Sequence, residues 1–276
     1  MSLTSIFTDI ANAIRAKTGK TDTMTPLEMA QEVSDINTNE DYVDCLKTTL
    51  ERPSGITDIV LPDTITTIKS SAYANWNYSN IYYLRSFRAN EITEAPASFL
   101  ANNGRMESAY LPKVTMFLGA SLMSTPNLTN LVIAPKIHRV DSQAFSNCGC
   151  VLTEIDTEQY YNEYGQLTTP QIVNQAFSGC KNIPHMKLKG PANIGAMIFS
   201  SCVFTKLWIS KDVVTLGQRI PGGSAITDIY TDAETDNPGW NPAWYKITLG
   251  TEGTAATVHY SVSEAEFDEI VEEETT

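Results

Sequence analysis

Three phenylalanines each stand three residues before a cysteine, in Phe145-Ser-Asn-Cys148, Phe177-Ser-Gly-Cys180 and Phe199-Ser-Ser-Cys202. When an apolar pattern recurs at a spacing of about 20 to 30 residues, it builds a stack of coils and not a globular enzyme core. Function in such a chain has to be sought on surfaces.

The leading hydrophobes of the units are Ile56, Leu84, Met106, Leu128, Leu152, Ile183, Phe204 and Ile226, at successive offsets of 28, 22, 22, 24, 31, 21 and 22 residues. The clearest unit runs from Leu128 to Cys148. In it Leu131 and Ile133 alternate as in a short strand, Pro135 ends the strand, Ile137 and Val140 return the chain across the core, and Ala144-Phe145 fill a tight turn. One coil cannot close its own apolar side, so stacking must make the core continuous. The repeat core is read as Leu128, Leu131, Ile133, Ile137, Val140, Phe145, Cys148, Phe177, Cys180, Phe199 and Cys202. Seven full coils and a terminal fragment are expected over residues 56–235.

The two long offsets mark insertions. One carries Trp76, Tyr78, Tyr82 and Tyr83, the other Tyr160, Tyr161 and Tyr164. A stacked interior has no room for extra chain, so both insertions should bulge outward and offer amphipathic aromatics to a protein or glycan.

Ahead of the repeats, residues 1–36 predict a small α-helical hairpin for attachment or oligomerisation. Ile6, Ile10 and Ile14 form the stripe of its first helix, and Thr25-Pro26-Leu27-Glu28 starts the second. Residues 37–55 read as a linker and N-terminal cap. Residues 236–276 read as a C-terminal cap around Trp240 and Trp244 followed by an acidic helix, with Ser263 and Glu266 placed for a capping box.

A net charge of -13 opposes the basic footprint of a nucleic-acid binder. No apolar run approaches a membrane span, and the opening residues lack the pattern expected to direct classical secretion. Histidines at 138, 185 and 259 are too scattered for a metal motif, and the cysteines read as small core residues. There is no Gly-x-Ser-x-Gly elbow, and Pro221-Gly222-Gly223-Ser224 lacks the ending of a phosphate loop. No catalytic residue, metal or cofactor is therefore expected.

The unit from Leu128 to Cys148, repeated with a displaced proline from Ile183 to Cys202, resembles the leucine-rich repeats of the BspA-like bacterial family. That resemblance implies a leucine-rich repeat solenoid with a short β-strand in each coil and a role in recognition or assembly. A second segment, Ile10-Ala-Asn-Ala-Ile14-Arg15-Ala-Lys17-Thr18-Gly19 followed by Asp22, Thr25-Pro26 and Glu28-Met29-Ala30, resembles the amino-terminal part of phage and prophage tail-associated proteins of Gram-positive hosts. Together they imply a tail, baseplate or fibre-like virion protein. Its partners would be other tail proteins or a host-surface protein or glycan, with homo-oligomer contacts through the N-terminal helices. The alternative is a bacterial surface or secreted adhesin on the same scaffold.

Overall fold

The computed structural model describes residues 57–68, 70, 84–248 and 253–273. The helical hairpin expected at 1–36, with Ile6, Ile10 and Ile14, lies outside the described residues, as do Trp76, Tyr78, Tyr82 and Tyr83.

Each coil contributes a short front strand. The first four are β1 (Asp58–Val60), β2 (Ser86–Arg88), β4 (Ser108–Tyr110) and β6 (Asn130–Val132), paired in parallel in that order. Five more follow as β8 (Glu154–Asp156), β12 (Met186–Lys189), β14 (Lys206–Ile209), β16 (Asp228–Thr231) and β17 (Thr257–His259), again parallel. A second ladder is made of two-residue strands: β3 (Glu94–Ala95), β5 (Met116–Phe117), β7 (Arg139–Val140), β11 (Gln171–Ile172), β13 (Asn193–Ile194) and β15 (Thr215–Leu216). These sheets form the parallel-strand solenoid that the repeat pattern predicts. β9 (Tyr160–Tyr161) and β10 (Leu167–Thr168) form an antiparallel hairpin between β8 and β11, and α1 (Glu264–Glu273) closes the described chain.

Strand alternation explains the core. Phe87, Ala109, Leu131, Ile155, Leu188, Ile209 and Ile229 turn one way, and all but Leu131 are fully buried. Between the two ladders the phenylalanines stack from coil to coil. Ring centroids lie 4.8 Å apart for Phe117 and Phe145, 5.0 Å for Phe145 and Phe177, and 5.7 Å for Phe177 and Phe199. Contacts of this kind add to the area term that drives burial.

The turns opposite the front sheet are a third ladder that the apolar pattern does not reveal. Backbone N–H groups of Leu100, Leu122, Phe145, Phe177 and Phe199 each donate to a carbonyl of the next coil, at Ser121, Ala144, Ala176, Ile198 and Ile220. Two residues before each of these positions the backbone is left-handed, at Ser98, Ala120, Gln143, Gln175 and Met197, and two residues after it is so again, at Asn102, Ser124, Asn147, Gly179 and Ser201. Most are not glycine, so the hydrogen-bond ladder offsets a backbone cost repeated in every coil.

The cysteines sit on the same turns. The Cys180 and Cys202 thiols donate to the carbonyls of Phe145 and Phe177 at 3.0 and 3.1 Å. Thr125 occupies the equivalent place one coil before Cys148 and donates to Leu122 O, while Asn103 donates to Leu100 O. The Cys column is thus a buried hydrogen-bonding column, filled by Asn103 and Thr125 in earlier coils. Burial pushes the Cys202 thiol up to about 12, and its neighbour Cys150, together with burial, raises Cys148 well above the ordinary thiol range. Neither is a nucleophile at neutral pH.

Candidate recognition surfaces

The two front sheets do not join. In the first coils the N–H just past each strand, at Leu61, Ala89 and Leu111, donates to Arg88, Tyr110 and Val132 O. The next such bond to β8 comes from Ile137, which donates to Asp156 O at 2.8 Å and bridges Thr157, leaving Ile133 to Lys136 outside the ladder. The chain is longer on both sides of the break: Leu131 to Val140 is one residue longer than Ala109 to Phe117, and the turn before β8 is longer as well. Phe145 to Leu152 spans seven residues where Leu122 to Leu128 spans six, and Leu152 is only partly buried although Leu128 and Ile183 are fully so. Gly149 sits in that longer turn against the Pro126 carbonyl, where an added Cβ would lie 2.1 Å away. Between the separated strands is a cleft of about 310 Å³ lined by Leu131, Ile133, Pro135, Leu152, Glu154 and Asp156. An ion pair between Lys136 and Asp156 spans 2.7 Å at the cleft.

On β1, β2, β4 and β6 the outward residues form two in-register rows. One is Asp58, Ser86, Ser108 and Asn130; the other is Val60, Arg88, Tyr110 and Val132. Val60, Arg88, Tyr110 and Val132 are exposed, with the Arg88 guanidinium 4.4 Å from the Tyr110 ring centre. Hydrogen bonds from Ser86 and Thr57 hold the Asp58 carboxyl below the usual range.

The predicted bulge at 159–166 is the β9–β10 hairpin. Tyr160 pairs with Thr168, Tyr161 pairs with Leu167, and Gly165 takes a left-handed turn conformation. Asn162 Oδ1 accepts the N–H groups of Tyr164 and Gln166, both at 3.0 Å, which fixes the tip. Tyr160 is tied down, its ring stacked 4.2 Å from His138, whose pKa burial lowers. Tyr161 and Tyr164 project, 73% and 78% exposed, with Leu167 beside them at 56%. The three tyrosines named together by the sequence therefore divide into one anchor and two free rings.

The repeat-core residues Leu128, Ile137, Val140, Phe145, Cys148, Phe177, Cys180, Phe199 and Cys202 are all buried; Leu131 and Ile133 are partly so, at the cleft. Among the described residues no group of His, Cys, Asp and Glu is disposed to hold a metal ion, and no helix is long and apolar enough to cross a membrane.

The outward face of the second front sheet is covered. Glu154, Lys187, Trp208, Tyr230 and His259 lie in one register row across β8, β12, β14, β16 and β17. α1 lies on this row through Phe267, which is fully buried with Trp208 and Tyr230. The acidic character of α1 is written in its own residues, and where it docks is not. The available signal was the exceptional aromatic character of Trp208 and Tyr230 at outward strand positions.

Residues 33–152 and 153–231 match the BspA type leucine rich repeat region, in six copies. No curated protein matches the chain.

Proposed function

We propose a recognition function from one premise: the chain belongs to the BspA type leucine-rich repeat family. Repeats of this class suggest protein recognition or adhesion, because the stacked coils spend their apolar residues on one another and leave a long ordered surface for partners. Our reading of this chain is a non-catalytic tail, baseplate or fibre-like structural protein of a phage or prophage. Residues 1–36 would attach it or link copies, and the solenoid would engage a host-surface protein or glycan.

The observation that carries the recognition part is the β9–β10 hairpin. Its tip is held by Asn162 and its root by the Tyr160–His138 stack, so Tyr161 and Tyr164 are offered at little entropic cost. The attachment part is supported by the Ile10 to Gly19 segment and its likeness to tail-associated proteins. Immuno-electron microscopy on induced particles and on uninfected cells tests the assignment: label at the particle tail supports it, and label confined to the cell surface replaces it with the adhesin reading. On either location, the double substitution Tyr161→Ser with Tyr164→Ser should weaken binding to host cells at least about tenfold while leaving thermal unfolding unchanged. Undiminished binding would move recognition off the hairpin.

A further inference from the structure

Along a parallel strand, successive residues turn their backbone N–H and C=O groups to opposite edges. On β6 the Asn130 N–H donates to Glu107 O and Val132 O accepts from Leu111, so both residues face β4. The N–H and C=O of Leu131, and the N–H of Ile133 beyond it, therefore face the cleft. On β8, Thr153 O accepts from Lys187 and the Thr157 N–H donates to Lys189 O, which commits alternate residues to β12. Glu154 and Asp156 turn their backbone groups the other way, toward the same cleft, where Ile137 meets Asp156 O. The coils before and after continue their ladders; here β6 ends one sheet and β8 begins the other. Two open strand edges thus stand face to face inside the solenoid, a place where each would normally be paired.

The side chains show the same shortfall. Ala109 and Ile155, on the strands to either side, are each 1% exposed, whereas Leu131, Ile133 and Leu152 at the cleft are only partly buried. The volume of about 310 Å³ falls at the lower end of the range for ligand sites. Walls of this kind ask for alternating N–H and C=O groups, which a polypeptide carries and a glycan does not. Charge gives the site a direction. The parallel bridge between Ile137 and Thr157 closes one end, and the exposed Glu158 stands just past it. Asp156 is held by Lys136, and Glu154 lies 3.7 and 3.5 Å from Lys187 and Lys189. Glu158 has no ion pair among the described residues, in a chain of net charge -13.

We propose that the cleft between β6 and β8 binds an extended peptide segment of another protein, which adds one strand parallel to both and rejoins the two front sheets. An apolar residue of that segment sits between Leu131 and Ile155, over Leu152. A lysine or arginine follows on its C-terminal side, where β8 leads to Glu158. The site goes beyond the hairpin reading, since it uses neither Tyr161 nor Tyr164.

The test selects a displayed library of random linear octapeptides on the full chain and measures the enriched sequences as labelled synthetic peptides. They should place an apolar residue shortly before a lysine or arginine and slow deuterium exchange at Leu131 and Ile133. A copy N-methylated at the apolar residue keeps every side chain but loses one N–H, and should bind at least about tenfold more weakly. Ile133→Pro, which removes an edge donor from the protein, should cost about as much. Glu158→Lys should reverse the charge preference, so that a peptide with glutamate in place of its lysine or arginine binds this variant better than the wild-type chain. Tyr161→Ser with Tyr164→Ser should leave peptide binding unchanged, which separates failure of this site from failure of the hairpin. No enriched peptide, binding that survives N-methylation, or protection confined to other strands overturns the proposal. A concentration-dependent dimer in sedimentation that Ile133→Pro dissolves also overturns it, by assigning the edges to a second copy of the chain.

Discussion

On β1, β2, β4 and β6 the outward positions are small, polar or singly apolar, and they face solvent; on β8, β12, β14, β16 and β17 they gather Lys187, Trp208 and Tyr230, and a helix covers them. Inward, both sheets put hydrophobes into one continuous core, Phe87 and Ala109 in the first and Met186, Leu188, Leu207 and Ile209 in the second, and the phenylalanine stack runs on through the coils on either side of the cleft. A repeat core thus fixes the coil without fixing its surface. An outward Trp and Tyr in adjacent coils left bare would make an apolar patch of the kind that soluble surfaces avoid, and α1 removes it.

The strongest way to break the comparison is to cut the core that the two sheets share. Phe177 is fully buried, stacked 5.0 Å from Phe145 on one side and 5.7 Å from Phe199 on the other. Phe177→Ala should cost about 3–5 kcal/mol, read from denaturant midpoints at constant slope. In a stack held by nearest-neighbour contacts the loss should also split one calorimetric transition into two. A single lowered transition would mean that the two halves remain one cooperative unit despite the break in the front ladder.

How much of this was legible in the sequence follows from where each pattern is written. Leu128, Phe145 and Cys148 repeat in register because every coil solves the same packing problem, so the family and the parallel solenoid could be read from them. The cysteine column was visible only as apolar. Its hydrogen bonds to Phe145 O and Phe177 O depend on which way a carbonyl points, and the stand-ins Asn103 and Thr125 share no hydrophobicity with cysteine. The ladder break coincides with single extra residues between Leu131 and Val140 and before Leu152, changes far smaller than the two insertions. The seat of α1 is signalled only by the outward Trp208 and Tyr230; its ion pairs join residue 187 to 264 and 268, and such distant partners leave no periodic trace.

Acid should sharpen the comparison by acting on the covered half. Burial alone would raise the Glu264 carboxyl, but hydrogen bonds from Lys187 and Lys189 bring it below its ordinary value. Its contribution is present above the unfolded pKa of about 4.3 and is lost as pH falls through the folded value. His185, lowered by burial and then by Lys187, works in the same direction: the fold favours its neutral form, and its contribution starts to be lost as pH falls below about 6.5. Lowering the pH from 7 to about 3.5 should therefore loosen α1 and open Trp208 to acrylamide, with Trp208→Phe as the blank. Quenching unchanged across that range would show that Phe267 holds the helix without the charges.

The smallest effect is expected on the open half, and its smallness is informative. Tyr110 is 37% exposed, its ring touching the Arg88 guanidinium in an arrangement worth about 0.5–1 kcal/mol at an exposed site. Its neighbour in the row, Val132, is 43% exposed, and the residue beneath, Ala109, keeps its own burial whatever stands at 110. Tyr110→Ala should thus lower stability by at most about 1 kcal/mol, measured by urea denaturation. If this residue belongs to a surface that meets a partner, the same substitution should weaken binding to that partner far more than it weakens the fold, since the core does not need its ring. A loss of stability above about 2 kcal/mol would place Tyr110 among the residues the coil needs, and the two halves of the front sheet would then differ less than their surfaces suggest.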